Sequence, residues 1–173
     1  MSERSEITRK LRLLVEKRLD SQRTYWSPEV NFDKNTKSER RIDFVSFKAY
    51  TPNIVVEPTS VELGTFACYE VKSGMADYTS GNGLTFYGDE NYLVCMPEFA
   101  DELIKRRTQE GLELPKNLTD ILIPDKSGKR LYRKKIGMSW DTPHRLRPAS
   151  EMLWSIVQSH DLGHISYLEE KNE

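Results

Sequence analysis

The chain has 173 residues, enough to bury a core without disulfides or structural metals, and a single domain over 1–173 is the expectation. Its 26 basic and 27 acidic residues leave a net charge of -1, which excludes the overall basic excess of a protein that coats nucleic acid. No apolar run approaches the roughly 20 residues that span a bilayer, and MSERSEITRK lacks the apolar stretch of a secretory signal. A cytoplasmic protein with no membrane partner is therefore expected. Cys68 and Cys95 lie in the apolar segments FACYEV and YLVCMP, without a CxxC or a Cys/His cluster, and read as buried reduced thiols.

The spacing of Ile7, Leu11, Leu14, Val15 and Leu19 predicts an amphipathic first helix, with Arg9, Lys10, Arg12, Lys17 and Arg18 among them. Three β-type segments follow: TYWSPEV, then RRIDFVSFKAY from Arg40 to Tyr50, then LGTFACYEVKS from Leu63 to Ser73. TPNIVVEPTSVE, with Pro52 and Pro58, predicts a loop or edge excursion, because proline cannot donate to a central ladder. After Ser73, Gly74, Gly81, Gly83 and Gly88 punctuate a segment that predicts a short helix near Ala76 and then a mobile loop. NYLVCM, closed by Pro97, predicts a buried strand, and Glu98 to Glu110 a helix ending before Gly111. TDILIPDKSGKRLYRKKIG predicts two strands joined by a turn at Asp125 to Gly128, and Ala149 to His160 a closing helix. The sum is an α/β fold, a mixed β-sheet flanked by helices, with a C-terminal hairpin and helix.

Two strands carry charge where the pattern demands core. In FACYEVKS, Glu70 and Lys72 are two apart and so share a face of the strand, while in RRIDFVSF Asp43 sits between Ile42 and Phe44. Burying such groups is costly unless they pair, meet a metal or reach solvent. Two carboxylates from adjacent strands make an oxygen-rich site suited to Mg²⁺ or Mn²⁺, and a neighbouring ammonium suits an anionic transition state of phosphodiester hydrolysis. The competing expectation is a salt-bridge cluster that only stabilises a structural or interaction domain.

Asp43, E-x-K at Glu70 and Lys72, and the order of the surrounding elements resemble the PD-(D/E)xK nuclease superfamily, whose core runs helix, three strands, helix and strand (αβββαβ, restriction-endonuclease-like). A narrower resemblance, carried by RRIDFVSF, YEVKSGMADY, YLVCMPE and LPKNLTDILIPDKSG from Glu39 to Gly128, is to the MmcB family of bacterial DNA repair proteins. The resemblance implies Asp43 and Glu70 as metal ligands with the Val71 carbonyl, Lys72 as the catalytic lysine, and Arg40 and Arg41 flanking the site. Ile42 stands where the superfamily has proline. The stretch after Asp77 carries Gly81, Gly83 and Leu84 before Tyr87, where the MmcB family has Asp, Lys and Trp.

Weaker candidates complete the reading. The superfamily resemblance implies a first-helix carboxylate near the metal, for which Glu6 is preferred over Glu16. Asp77 is a helix cap or a ligand. His144, His160 and His164 lack partners at ligand spacing, and Gly81 to Gly83 is a turn signal rather than a phosphate loop. Tyr87, Tyr92, Tyr132 and Trp140 are stacking candidates that also suit a core. Lys126 to Lys135 suits a hairpin laid along phosphates, with Lys134 and Lys135 as DNA contacts. The expected activity is a Mg²⁺-dependent deoxyribonuclease in DNA repair, recombination or mobile-element biology; the alternative is a DNA-binding repair accessory with a degenerate site. A homodimer would suit double-strand cutting.

Overall fold

The structure is a computed structural model describing residues 3–22, 24–55, 57, 59–136 and 143–163. Helix α1 (Glu3–Gln22) leads into β1 (Tyr25–Phe32) and β2 (Arg40–Lys48), then a single 3-10 turn at Pro52–Ile54 and the one-turn α2 (Thr59–Glu62). There follow β3 (Thr65–Val71), α3 (Met75–Tyr78), β4 (Glu90–Val94), α4 (Pro97–Glu110), β5 (Asp120–Pro124), β6 (Leu131–Lys134) and α5 (Ala149–Gly163). The strands form one mixed sheet in chain order, β1 to β6. Pairing is antiparallel from β1 to β3, parallel from β3 to β5, and antiparallel again between β5 and β6.

Each element follows from its sequence. The stripe Leu11, Leu14, Val15 and Leu19 is buried, and each such side chain contributes roughly 1.5 to 3 kcal/mol by leaving water. It packs with Phe44, Tyr69, Tyr92, Leu122 and Leu131 on one face of the sheet. On the other face Phe99 and Leu103 of α4 and Met152 and Ile156 of α5 meet Val45, Phe66, Leu93 and Ile121. The parallel strand β4 is therefore covered on both sides, which is why NYLV is apolar without alternation. Pro97 opens α4 at its first turn, where no amide partner is needed, and Gly111 closes it at φ 70.

Between β2 and β3 the expected loop holds α2 instead. The cause is local: the Ser60 hydroxyl accepts from the Glu57 amide at 2.9 Å while the Ser60 amide donates to the Glu57 carbonyl at 2.9 Å. Both cysteines are buried and free, as expected. No helix among the described residues is long and apolar enough to cross a membrane.

Candidate active site

Strands β1 and β2 change face at one place. Trp26 and Phe44 pack on the α1 side, whereas Val30, Phe32 and Ile42, at the same parity in their strands, pack on the α4 and α5 side. The register passes from Pro28–Phe44 to Val30–Ile42, with Glu29 between them at φ 51. A left-handed residue rotates the strand and resets its two-residue alternation. The β2–β3 ladder ends alongside, at Phe44–Tyr69. Asp43 reaches into the space beyond that last rung, where its Oδ2 accepts from the Val71 amide at 2.8 Å. Its Oδ1 lies 3.5 Å from Arg12 Nη1. Burial pushes the Asp43 carboxyl above its ordinary value, and the Val71 amide and Arg12 oppose that only in part.

Glu70 and Lys72 share a face, as their spacing requires, and are only 2% and 5% exposed. Glu70 Oε1 accepts from the Thr85 amide at 3.2 Å. Its carboxyl is pushed up to about 8, first by burial and then by the charge of Asp43, against the lowering pull of the Thr85 amide and Lys72. Lys72 Nζ donates to the Asn82 carbonyl at 2.6 Å and stands 3.9 Å from Asp77 Oδ1. The Gly81–Thr85 segment thus lies on the two charged groups. Gly83 makes that approach feasible: at φ 73, a Cβ there would fall 2.7 Å from Glu70 Oε2 and 3.0 Å from Lys72 Nζ.

Asp77, in the first turn of α3, lines the same cleft and folds back onto the residue before the helix cap. Its Oδ2 accepts from the Ser73 amide and hydroxyl, both at 3.1 Å, ahead of α3, and its Oδ1 pairs with Arg4 at 3.0 Å. Burial pushes the Asp77 carboxyl up, but the Ser73 hydrogen bonds and the Lys72 and Arg4 charges together hold it below the ordinary range.

Asp43, Glu70, Val71 and Lys72 form the floor of a cleft of about 750 Å³, with Arg40 and Arg41 on its rim. Helix α1 supplies Arg4, Thr8 and Arg12, one residue per turn. Glu6 falls between them, is exposed, and does not line the cleft. Glu29, which carries no signal in the sequence, bridges Arg12 and Arg41, each at 2.7 Å. An acidic residue after a proline in an edge strand does not announce that its backbone will be left-handed.

The other candidates lie elsewhere. Lys134 and Lys135 belong to β6 and the residue after it, at the opposite end of the strand order from β1 and β2. Lys134 is engaged by Asp101, and Lys135 is exposed. His144 is exposed, with its backbone held by Asn117. Tyr92 is buried against Tyr69, Tyr87 packs edge-on to Phe32, and Tyr132 is half exposed. Trp140 and His164 lie outside the described residues, as does the side chain of His160. Among the described residues no group of three or more His, Cys, Asp or Glu is placed to hold a metal.

No family model, curated protein or solved structure matches this chain. Asp43 and Glu70 are two carboxylates close enough for one to raise the proton affinity of the other, in a pocket that disfavours both charges. A divalent cation would relieve that repulsion. Carboxylate oxygens are the donors that suit a hard ion.

Proposed function

We propose that the protein is a metal-dependent deoxyribonuclease with a restriction-endonuclease-like core. The observation that carries this reading is the convergence of Asp43, Glu70 and Lys72 on one cleft floor at the point where β2 and β3 part. The order α1, β1, β2, β3, α3 and β4 also follows the αβββαβ pattern of the PD-(D/E)xK superfamily, interrupted by α2. Asp43, Glu70 and the Val71 carbonyl would hold Mg²⁺ or Mn²⁺. Such an ion, when bound, neutralises phosphate charge and lowers the pKa of a coordinated water.

This chain's own groups do the rest. Arg40 and Arg41 on the rim attract the phosphate backbone, and Arg12, held between Asp43 and Glu29, adds positive charge beside the carboxylates. Lys72 has its ammonium fixed by the Asn82 carbonyl, within reach of charge developing on the scissile phosphate. For Lys72 to turn to that phosphate it must exchange its partner in the Gly81–Thr85 segment. DNA repair, recombination or mobile-element biology are the settings such an activity would serve, and double-strand cutting would suit a homodimer.

The test is incubation with a panel of labelled duplex, single-stranded, flap and junction DNA with Mg²⁺ or Mn²⁺. Wild type should cut at least one, and Lys72→Ala should slow turnover by about 10²-fold or more while retaining metal. The seating of Asn82 and Thr85 on Lys72 and Glu70 favours a second reading, a DNA-binding repair accessory with a silent site. Tight DNA binding without cleavage in either metal would select it.

A further inference from the structure

We propose that the groove between α1 and the β5–β6 turn is a second polyanion site, which holds the phosphate backbone of nucleic acid away from the Asp43 cleft. The inference rests on reading the protein as one that acts on nucleic acid, and it says where the flanking backbone is gripped.

The buried stripe of α1 has two flanks. Arg4, Thr8 and Arg12 face the cleft, whereas Lys10, Lys17 and Ser21, also at helical spacing, fall on the other flank. There Lys17 and Arg18 line a separate groove of about 420 Å³ with Lys129 and Arg130. Lys10 Nζ comes close to the same turn, 3.6 Å from where a Cβ on Gly128 would sit. Cations from two elements distant in sequence thus converge in a chain whose net charge is -1.

The turn that presents them is built to hold its shape. Asp125 Oδ1 accepts from the Lys129 amide at 2.9 Å and the Arg130 amide at 3.3 Å, and the Gly128 amide donates to the Asp125 carbonyl at 2.8 Å. The Ser127 hydroxyl also donates to the Asp125 carboxylate, at 2.9 Å to each oxygen, so its hydrogen bonds are spent within the turn. Arg18 Nη1 donates to the Leu131 carbonyl at 3.3 Å, tying the turn to α1. Among the described residues no ion pair engages Lys10, Lys17 or Lys129, whereas farther along β6 Arg133 pairs with Glu90 and Lys134 with Asp101.

Like charges gathered this way repel one another, and a row of phosphates relieves the repulsion while releasing counterions. A protein partner fits less well, because the apolar lining, Leu14 and Leu131, is itself buried. Phosphodiester backbone needs only the clustered cations. Since α1 rises about 1.5 Å per residue, Arg4 and Lys17 stand roughly 20 Å apart along its axis, a separation of several nucleotides.

The test is binding of labelled duplex DNA across a salt series without divalent metal. The triple variant Lys17→Ala, Lys129→Ala, Arg130→Ala leaves Arg18 in place to hold the turn, and its melting temperature should stay within about 2 °C of wild type. Its plot of log K against log salt should be flatter by up to about 0.9 for each phosphate left without its cation. A wild-type slope in this variant, with a flattened slope in Arg40→Ala, Arg41→Ala, would overturn the groove and leave the nuclease reading standing. Wild-type protein that binds no DNA at any salt concentration would overturn both.

Discussion

The Val71 amide donates to Asp43 Oδ2 at 2.8 Å, one step beyond the last β2–β3 rung at Phe44 and Tyr69. The carboxylate stands in for a strand carbonyl, and its other oxygen is left towards Arg12 and the cleft. Asp43→Asn keeps an oxygen acceptor for the amide but removes the negative charge that the proposed metal site relies on. Folding should survive, while Mn²⁺ affinity measured by calorimetry should drop at least about tenfold and cleavage with it. Unchanged Mn²⁺ binding would remove Asp43 from the ligand set.

Glu70 gives the metal-free protein a pH signature. Its carboxyl moves from the ordinary 4.5 to about 8 on folding, through burial first and the Asp43 charge second. Between those values the folded chain holds a proton that the unfolded chain has released. Its contribution to stability is therefore complete below about pH 4.5 and is lost as pH rises towards about 8. Melting temperature should decline across that window, and Glu70→Gln, which cannot ionise, should flatten the decline. Saturating Mg²⁺ should oppose it. An equal decline in Glu70→Gln would assign the effect to other groups.

Gly83→Ala should lift the Gly81–Thr85 segment from the site. The new methyl group meets Glu70 Oε2 and Lys72 Nζ, and the φ of 73 is unfavourable for alanine. Strain of about 1 to 3 kcal/mol is expected. Hydrogen exchange should show the Thr85 amide losing protection while core amides of β4 keep theirs. Unaltered protection at Thr85 would mean that the segment accommodates the methyl group in place.

Asn91 is fully buried in β4 and holds three backbone groups: its Oδ1 accepts from the Gly88 amide at 3.0 Å, and its Nδ2 donates to the Gly88 and Asn117 carbonyls at 2.8 and 2.9 Å. Asn91→Ala strands them away from water. A loss of about 3 kcal/mol is expected in urea unfolding. A loss below about 1 kcal/mol would show that the segment before β4 is anchored by other groups.

The strands that carry the site were legible because charge in an apolar, alternating run is conspicuous: Asp43 in RRIDFVSF and Glu70 with Lys72 in FACYEVKS. Flanking groups were harder. Helical spacing puts Arg4, Thr8 and Arg12 together, but which flank of α1 faces β2 depends on where the sheet lies, and Glu6 came from the superfamily resemblance rather than from that spacing. Lys134 and Lys135 end a basic run, but neighbours in sequence point to different surroundings on a strand, and Lys134 meets Asp101 on α4. The position of the Gly81–Thr85 segment was hidden for another reason. Glycine signals conformational freedom, and here that freedom serves a close approach of backbone to two charges.

Glu29 sets backbone comfort against the alignment of two arginines. Glycine at this position would adopt φ 51 without steric cost, at the expense of a more flexible unfolded chain. The same replacement deletes the carboxylate that Arg12 and Arg41 share and frees both guanidiniums to turn elsewhere. A lineage that keeps the glutamate retains a less comfortable backbone in exchange for two aligned arginines, and one that has drifted to glycine has already loosened the cleft wall, even with Asp43, Glu70 and Lys72 all present.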